Sequence, residues 1–115
     1  YATRAGSTAA RYGELEDILW HSGNAENKSQ PVGTKQPNAW ELYDLLGNVW
    51  EWVYDGYDEY PGKKQTDYYS NSGESRIFRG GSGAYEGGRC VAYNRNYLTP
   101  TTNAFDLGFR LACFE

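Results

Sequence analysis

The chain has 115 residues, which fits one domain with one core, and it carries a formal charge of -4 with a pI near 5.0. An acidic balance without a basic run argues against nucleic acid or an anionic membrane surface as partner, and no apolar stretch approaches the ~20 residues of a membrane span. Aromatic residues make up 17% of the chain, with 11 Tyr, so part of them is expected on a contact surface rather than in so small a core.

The first third of the chain predicts little regular structure. Alanine and arginine are good helix formers, so residues 1–12 are predicted to end a helix, which Gly13 stops. Residues 14–20 form a short amphipathic segment, and residues 21–38 are polar and rich in Gly, Asn and Ser, which predicts a surface loop. His21 is the only histidine, and without a companion His or Cys it is a poor candidate for catalysis or metal binding.

The middle of the chain is organised around DLLGNVWEW, residues 44–52. Residues 39–46 are predicted to form a helical turn that leads into this segment. Gly47 and Asn48 form a turn pair that tolerates positive φ, and the flanking apolar and aromatic residues predict burial. Aromatic residues then alternate with other types through residues 50–55, a period of two that predicts a strand.

The same segment contains Asp44 and Glu51, and burying carboxylates without partners costs several kcal/mol. Two kinds of partner are open. One is a hard cation, since carboxylate oxygens and the backbone carbonyls freed at Gly47 form the oxygen-rich mixture that Ca²⁺ accepts. The other is a set of backbone N–H groups or an arginine, for which Arg79 and Arg110 are the candidates.

The second half predicts short framework strands separated by polar loops. Residues 54–71 contain Gly, Pro, Lys and several Tyr, and they predict a long irregular loop. Residues 76–79 are predicted as a strand that ends at a Gly-Gly-Ser turn, and residues 89–92 and 108–112 as two further strands.

Small, amide, tyrosine and acidic residues fill the loops around these last strands. Such a mixture is typical of a paratope, in which Tyr supplies contact area and Asn, Ser and Gly supply adaptable hydrogen bonds. The alternative is an ordinary polar rim of loops. The residues predicted to bind a ligand on one exposed face are Tyr85, Glu86, Tyr93, Asn94, Asn96, Tyr97, Thr102, Asn103, Phe105 and Asp106.

Several motifs in this order resemble the formylglycine-generating-enzyme-like (sulfatase-modifying factor) domain, a variant of the C-type lectin fold. They are YATRAGS, PVGTKQPNAWELYDLLGNVWEW, RIFRGGSG, RCVAYNRNYLTP and LGFRLAC. The resemblance implies an α+β, loop-rich, C-type-lectin-like fold with short antiparallel strands. It also implies that residues 1–115 are one domain, the C-terminal part of the family's domain without its N-terminal part. At the central turn it implies a structural Ca²⁺ held by the side chains of Asp44 and Glu51 and the carbonyls of Gly47 and Val49.

The family's enzymes use two nearby cysteines in the stretch after Gly-Gly-Ser. Here residues 83–89 contain no cysteine, and Cys90 falls on a framework strand beside them. The resemblance therefore does not carry over the catalytic pair, and we expect no enzymatic activity. The alternative is an oxidoreductase domain of the formylglycine-generating or sulfoxide-synthase type, although the latter takes iron ligands from a separate domain.

The final third resembles the variable region of diversity-generating-retroelement variable proteins, ligand binders built on the same frame. Diversified positions in that branch hold residues that a mutagenised asparagine-type codon can encode. That resemblance marks residues 80–113 as a variable region that binds a protein or peptide. Glu86 does not comply, and Gly83 stands where relatives usually have Trp. The complying positions are Ala84, Tyr85, Gly87, Gly88, Tyr93, Asn94, Asn96, Tyr97, Thr102, Asn103, Ala104, Phe105 and Asp106.

Overall fold

A computed structural model describes residues 1–59, 62, 70 and 73–113, and its regular elements are few and short. One helical turn, α1, spans Leu15–Ile18, and a 3-10 turn spans Gly87–Arg89. The strands are β1 at Trp50–Gly56, β2 at Arg76–Arg79, β3 at Arg95–Leu98 and β4 at Leu107–Gly108. No helix in these ranges has the length and apolar character needed to cross a bilayer.

The four strands form one mixed sheet in the order β3-β2-β1-β4. Neighbours β1 and β2, and β2 and β3, are antiparallel, whereas β4 runs parallel to β1. Residues that face each other across antiparallel strands share a face, and successive residues alternate between faces. Phe78 is paired with Asn96, and Ile77 with Tyr97. Asn96 and Tyr97 therefore lie on opposite faces of the sheet.

The turn before β1 joins three segments of the chain. Gly47 and Asn48 both adopt positive φ, at 76° and 60°. The Gly47 N–H donates to the carbonyl of Gly80, and the Asn48 N–H donates to that of Trp20, both at 2.9 Å. The Asn48 side chain accepts from the Gln30 N–H at 2.8 Å and donates to the Gln30 carbonyl at 3.0 Å. The turn thus satisfies backbone groups on loops that are distant in sequence.

The core is continuous with this turn, because Leu46 belongs to it. Trp50 connects it to the sheet by edge-to-face contacts with Phe78 at 5.1 Å and Tyr85 at 4.8 Å between ring centroids. Buried aliphatic and thiol side chains fill the rest, with partly buried residues packed around them. They are Ile18, Leu19, Leu46 and Cys90, surrounded by Tyr12, Leu15 and Tyr85.

The structure confirms the strands at 50–55 and 76–79 but corrects other predicted elements. Residues 1–12 form turns rather than a helix end, because Ala5 and Gly6 adopt positive φ that breaks helical geometry. The helical turn predicted over 39–46 is absent there for the same reason, at Glu41 and Asp44.

The strand predicted over 89–92 is wrong, because Arg89 ends the 3-10 turn and Cys90 packs into the core. Of residues 108–112, only Gly108 lies in a strand, and that strand is parallel to β1 rather than antiparallel. The irregular loop predicted over 54–71 lies largely outside the described residues, and β1 takes its first three.

Candidate functional site

A cavity of about 460 Å³ opens beside the turn before β1. It brings together three of the four predicted metal residues, Asp44, Val49 and Glu51, together with Arg110. Gly47, the fourth, is not among the lining residues; its N–H faces the Gly80 turn. The sequence therefore singled out three of the residues that line this cavity.

Asp44 is the unusual residue of this cavity. Its side chain is only 8% exposed with φ at 53°, and its Oδ2 accepts from the Gly33 N–H at 2.7 Å. Its Oδ1 is buried with no hydrogen-bond partner among the described residues. Burial, and secondarily the charge of Asp44, raise the pKa of Tyr12 to about 12. A buried carboxylate oxygen without a partner is costly, so this position favours a cation.

The Glu51 carboxylate is paired with an arginine, the second of the two kinds of partner that the sequence left open. Arg110 donates from Nε to Oε2 at 2.8 Å and from Nη2 to Oε1 at 2.6 Å, a two-pronged contact that raises the pKa of Arg110. The same guanidinium donates to the carbonyls of Tyr43 and Asp44. We expected Arg79 or Arg110 to hold the carboxylates of Asp44 and Glu51. Of these pairs, the described part of the structure shows the one between Arg110 and Glu51. Because Arg110 is part-exposed, the pair contributes about 1 kcal/mol or less.

The predicted ligand-binding residues divide by exposure. Five are exposed and five are partly buried, so they do not form one continuous exposed face. The exposed ones are Glu86, Tyr93, Tyr97, Asn103 and Phe105, and the partly buried ones are Tyr85, Asn94, Asn96, Thr102 and Asp106.

Three of the partly buried residues hold the framework. Tyr85 packs edge to face on Trp50 and against the core. Asp106 accepts at Oδ2 from the hydroxyl of fully buried Ser82 at 2.7 Å, and its carbonyl accepts from the Trp50 N–H at 2.8 Å. Asn94 donates from Nδ2 to the carbonyl of Arg89 at 3.0 Å. The expectation that Tyr85 and Asp106 lie on an exposed contact face is therefore corrected.

Two of the three glycines in residues 83–88 have no room for a side chain. A Cβ built on Gly87 would lie 2.8 Å from Cγ of His21. One built on Gly83 would overlap the backbone of Lys28. Gly87 is therefore sterically constrained, although glycine is a residue type that a diversified position can hold. A Trp at position 83 would require the loop of Lys28 to move. Gly88 has only Glu86 Oε1 nearby, at 3.7 Å.

One contact residue lies outside the predicted region. The ring of Tyr57, beyond the end of β1, stacks on that of Tyr97 with centroids 3.8 Å apart, and the guanidinium of Arg95 lies 5.2 Å from the Tyr57 centroid. The high tyrosine content is the one sequence feature that points to this contact, since nothing in the spacing relates Tyr57 to β3. The exposed aromatic surface therefore extends beyond residues 80–113.

Cys90 is placed as a core residue. It is fully buried, its Sγ donates to the carbonyl of Glu86 at 3.6 Å, and burial raises the pKa of its thiol to about 11. A Cβ on Gly81 would overlap the same sulfur. Because the thiolate is the nucleophilic form, this environment disfavours chemistry at Cys90.

The model of the sulfatase-modifying factor enzyme 1-like domain matches residues 1–113. The formylglycine-generating enzyme of Streptomyces coelicolor is 30% identical over 135 aligned positions, which cover 97% of this chain and 43% of the relative. The formylglycine-generating enzyme of Mus musculus is 36% identical over 87 residues, or 71% of this chain and 23% of the relative.

Two solved structures are similar over 95% of the chain. Treponema denticola variable protein 1 has a TM-score of 0.86 and 33% identity, with 42% of its own chain covered. PvdO from Pseudomonas aeruginosa has a TM-score of 0.82 and 25% identity, with 47% covered. The chain thus spans less than half the length of these relatives. The matches confirm the predicted C-type-lectin-like fold and the predicted resemblance to variable proteins.

Proposed function

The chain belongs to the sulfatase-modifying factor enzyme 1-like domain family, and from this premise we propose that it is a non-catalytic domain that binds a protein or peptide. Its binding surface is diversified in the manner of diversity-generating-retroelement variable proteins. The likeness to Treponema denticola variable protein 1 supports this branch over an enzymatic one.

The observation that carries the proposal is the exposure of three aromatic side chains in the final third. Tyr93 is 62% exposed, Tyr97 50% and Phe105 73%. Large aromatic side chains are costly to leave in water and are enriched where proteins meet, with few rotatable bonds to freeze on binding. Tyr97 lies on β3, and the loop that carries Phe105 is held by the bond between Ser82 and Asp106. Such a frame tolerates substitution of the exposed residues.

A structural Ca²⁺ beside the turn is part of the proposal. Asp44 Oδ1 fits a cation because it is buried and has no partner among the residues that the structure describes, and Val49 and Glu51 line the same cavity. No three His, Cys, Asp or Glu side chains gather anywhere in the described ranges, so the site depends on carbonyl oxygens as well, which Ca²⁺ accepts. On binding, the ion would displace the Arg110 guanidinium from the Glu51 carboxylate.

Binding by the exposed aromatics is tested on a peptide selected by display against the immobilised domain. Tyr97→Ala and Phe105→Ala are each expected to weaken binding by about 30-fold, the loss typical of an aromatic hot spot. Tyr54→Ala is the matched control, since Tyr54 is 79% exposed but lies on β1. Dissociation constants by calorimetry, with melting temperatures for every variant, give the measurement. Equal losses for Tyr54→Ala and Phe105→Ala would contradict the proposal.

Absence of formylglycine-generating activity is a separate expectation. Residues 83–89 offer no thiol, and the thiol of Cys90 is buried with a raised pKa. Incubation with a cysteine-containing sulfatase peptide, copper and oxygen should leave the peptide mass unchanged over several hours, with an active formylglycine-generating enzyme as positive control. Conversion of the peptide that survives Cys90→Ser would show that other residues perform the chemistry and would support the enzymatic alternative.

A further inference from the structure

The exposed aromatic surface includes a stacked pair whose two tyrosines come from distant parts of the chain. Tyr57 directly follows β1, and Tyr97 lies on β3. Their ring centroids are 3.8 Å apart, with an angle of 34° between the ring planes. Both side chains remain accessible to solvent, since Tyr57 is 39% exposed and Tyr97 50%. The pair therefore presents one two-ring surface rather than two separate side chains.

The register of the sheet explains why these two residues meet. Arg76 of β2 pairs with Gly56 on one side and with Leu98 on the other, so the three residues share one face. The residue after Gly56 is Tyr57, and the residue before Leu98 is Tyr97. Because successive residues alternate between faces, the two tyrosine side chains leave the sheet on the opposite face, one on each side of β2.

Tyr57 is held in place at its backbone and at its ring. Its N–H donates to the carbonyl of Ser75 at 3.1 Å. The guanidinium of Arg95, two residues before Tyr97 on the same face of β3, lies 5.2 Å from its ring centroid, within the range of a cation–π contact. Two side chains of β3 thus contact one ring that belongs to the β1 side of the sheet.

Tyr97 depends on this contact because of its place in the sheet. In the described part of the chain β3 is an outer strand, so its side chains have a neighbouring strand on one side only. A ring that is free to change rotamer loses that freedom when a ligand binds, which costs about twofold to tenfold in affinity for each side chain. Stacking on Tyr57 restricts the Tyr97 ring before any ligand is present, so less of this cost remains.

We propose that Tyr57 is a positioning residue of the binding surface, which holds the Tyr97 ring in one rotamer before a protein or peptide ligand arrives. This inference rests on the proposed function. Tyr57 lies outside residues 80–113, so the role makes one residue of the framework part of the binding surface. Its ring acts through Tyr97, and its removal should matter where the Tyr97 ring is present.

The ring contact is tested first without a ligand, by NMR of the Tyr97 side chain. In the parent protein its couplings across χ1 should report one rotamer, and the ring current of Tyr57 should shift its ring protons upfield. Tyr57→Ala and Tyr57→Leu should each average the rotamers and remove the shift, whereas Tyr57→Phe should keep both. Tyr54→Ala is the matched control on an exposed tyrosine of β1, and it should leave the Tyr97 signals unchanged.

The effect on binding is measured by calorimetry, with a peptide selected by display against the parent domain. Tyr57→Ala should weaken binding about fivefold, a loss of the size expected for one aromatic pair. The same substitution in the Tyr97→Ala background should cost less than about twofold, because no ring is left to position. Tyr57→Phe should bind within about twofold of the parent. Melting curves establish that each variant is folded, and Tyr57→Leu repeats the measurement with an apolar side chain that has no ring.

Two results would overturn the positioning role. The first is a set of Tyr97 signals that stay unchanged in both Tyr57→Ala and Tyr57→Leu. The second is an equal loss of affinity for Tyr57→Ala with and without the Tyr97 ring, which would make Tyr57 an independent contact.

The proposed function and the positioning role can fail separately. A peptide that loses affinity with Tyr97→Ala and Phe105→Ala but not with Tyr57→Ala would overturn the positioning role and leave the proposed function standing. A peptide that is insensitive to both Tyr97→Ala and Phe105→Ala would overturn the proposed function. The NMR signals of Tyr97 would then still decide whether Tyr57 orders its ring.

Discussion

Replacing Gly47 with alanine is expected to destabilise the domain by about 2–5 kcal/mol. Gly47 has φ of 76°, and a Cβ built there would overlap the carbonyl oxygen of Trp20 and lie 2.9 Å from its nitrogen. Both are backbone atoms that are tied to the turn, so no side chain can rotate away to make room. The left-handed conformation costs about 1–2 kcal/mol for a non-glycine residue, and forced overpacking adds about 1–3 kcal/mol. The sum is a large part of the 5–15 kcal/mol typical of a domain.

Gly33→Ala is the matched control for this variant. Gly33 has a nearly identical φ of 72°, yet a Cβ there has nothing within 4 Å. It should therefore lose only the conformational part, about 1–2 kcal/mol. Urea denaturation of both variants measures the difference. If they lose the same stability, the close approach of Trp20 to the turn does not constrain the fold.

Calcium is expected to raise the melting temperature by about 10 °C when the ion is present at 100 times its dissociation constant. Binding to the folded state alone contributes about 2.7 kcal/mol at that ratio, and 1 kcal/mol corresponds to about 4 °C for a domain of this size. The physical reason is Asp44 Oδ1, a buried oxygen without a partner in the described part of the chain. Scanning calorimetry in calcium and in chelator measures the shift.

Asp44→Asn should abolish the calcium dependence. Its effect in chelator should be small, because the amide oxygen still accepts from the Gly33 N–H and no buried charge remains. Asp17→Asn, on an exposed residue, makes the same change of charge and should keep the full shift. The Arg110 Nε–H resonance should also move on adding calcium, since the ion would compete for Glu51. Coincident melting curves of the parent protein in calcium and chelator would contradict the site and leave the Arg110 pair as the sole partner of Glu51.

The sequence was sufficient for those parts of the fold whose signals are local. Alternation of aromatic residues predicted β1, and a short apolar run before Gly80 predicted β2. The Gly47–Asn48 turn pair tolerates positive φ, and the structure shows positive φ at both residues. Asp44 and Glu51, which the sequence singled out as carboxylates near a buried turn, both line one cavity.

Side-chain roles in the final third depended on contacts that no local pattern reveals. Tyr85 and Tyr93 are the same residue type in similar loops. Tyr85 packs on Trp50 beside the core, whereas Tyr93 is exposed to solvent. By residue type Asp106 is a candidate contact residue, but in the structure its carboxylate accepts a hydrogen bond from the Ser82 hydroxyl.

The same holds for the sterically constrained and the charged positions. Gly87 has a residue type open to variation, but the ring of His21 occupies the space beside it. Arg79 and Arg95 become neighbours only through the register of β2 and β3. By itself the sequence determined the family frame through the resemblance of its motifs, and it determined the turn and two strands because backbone conformation and hydrophobic periodicity are local properties. Only the tertiary structure decided which loop residues support the frame and which are left to bind, because that division depends on what distant segments bring against each side chain.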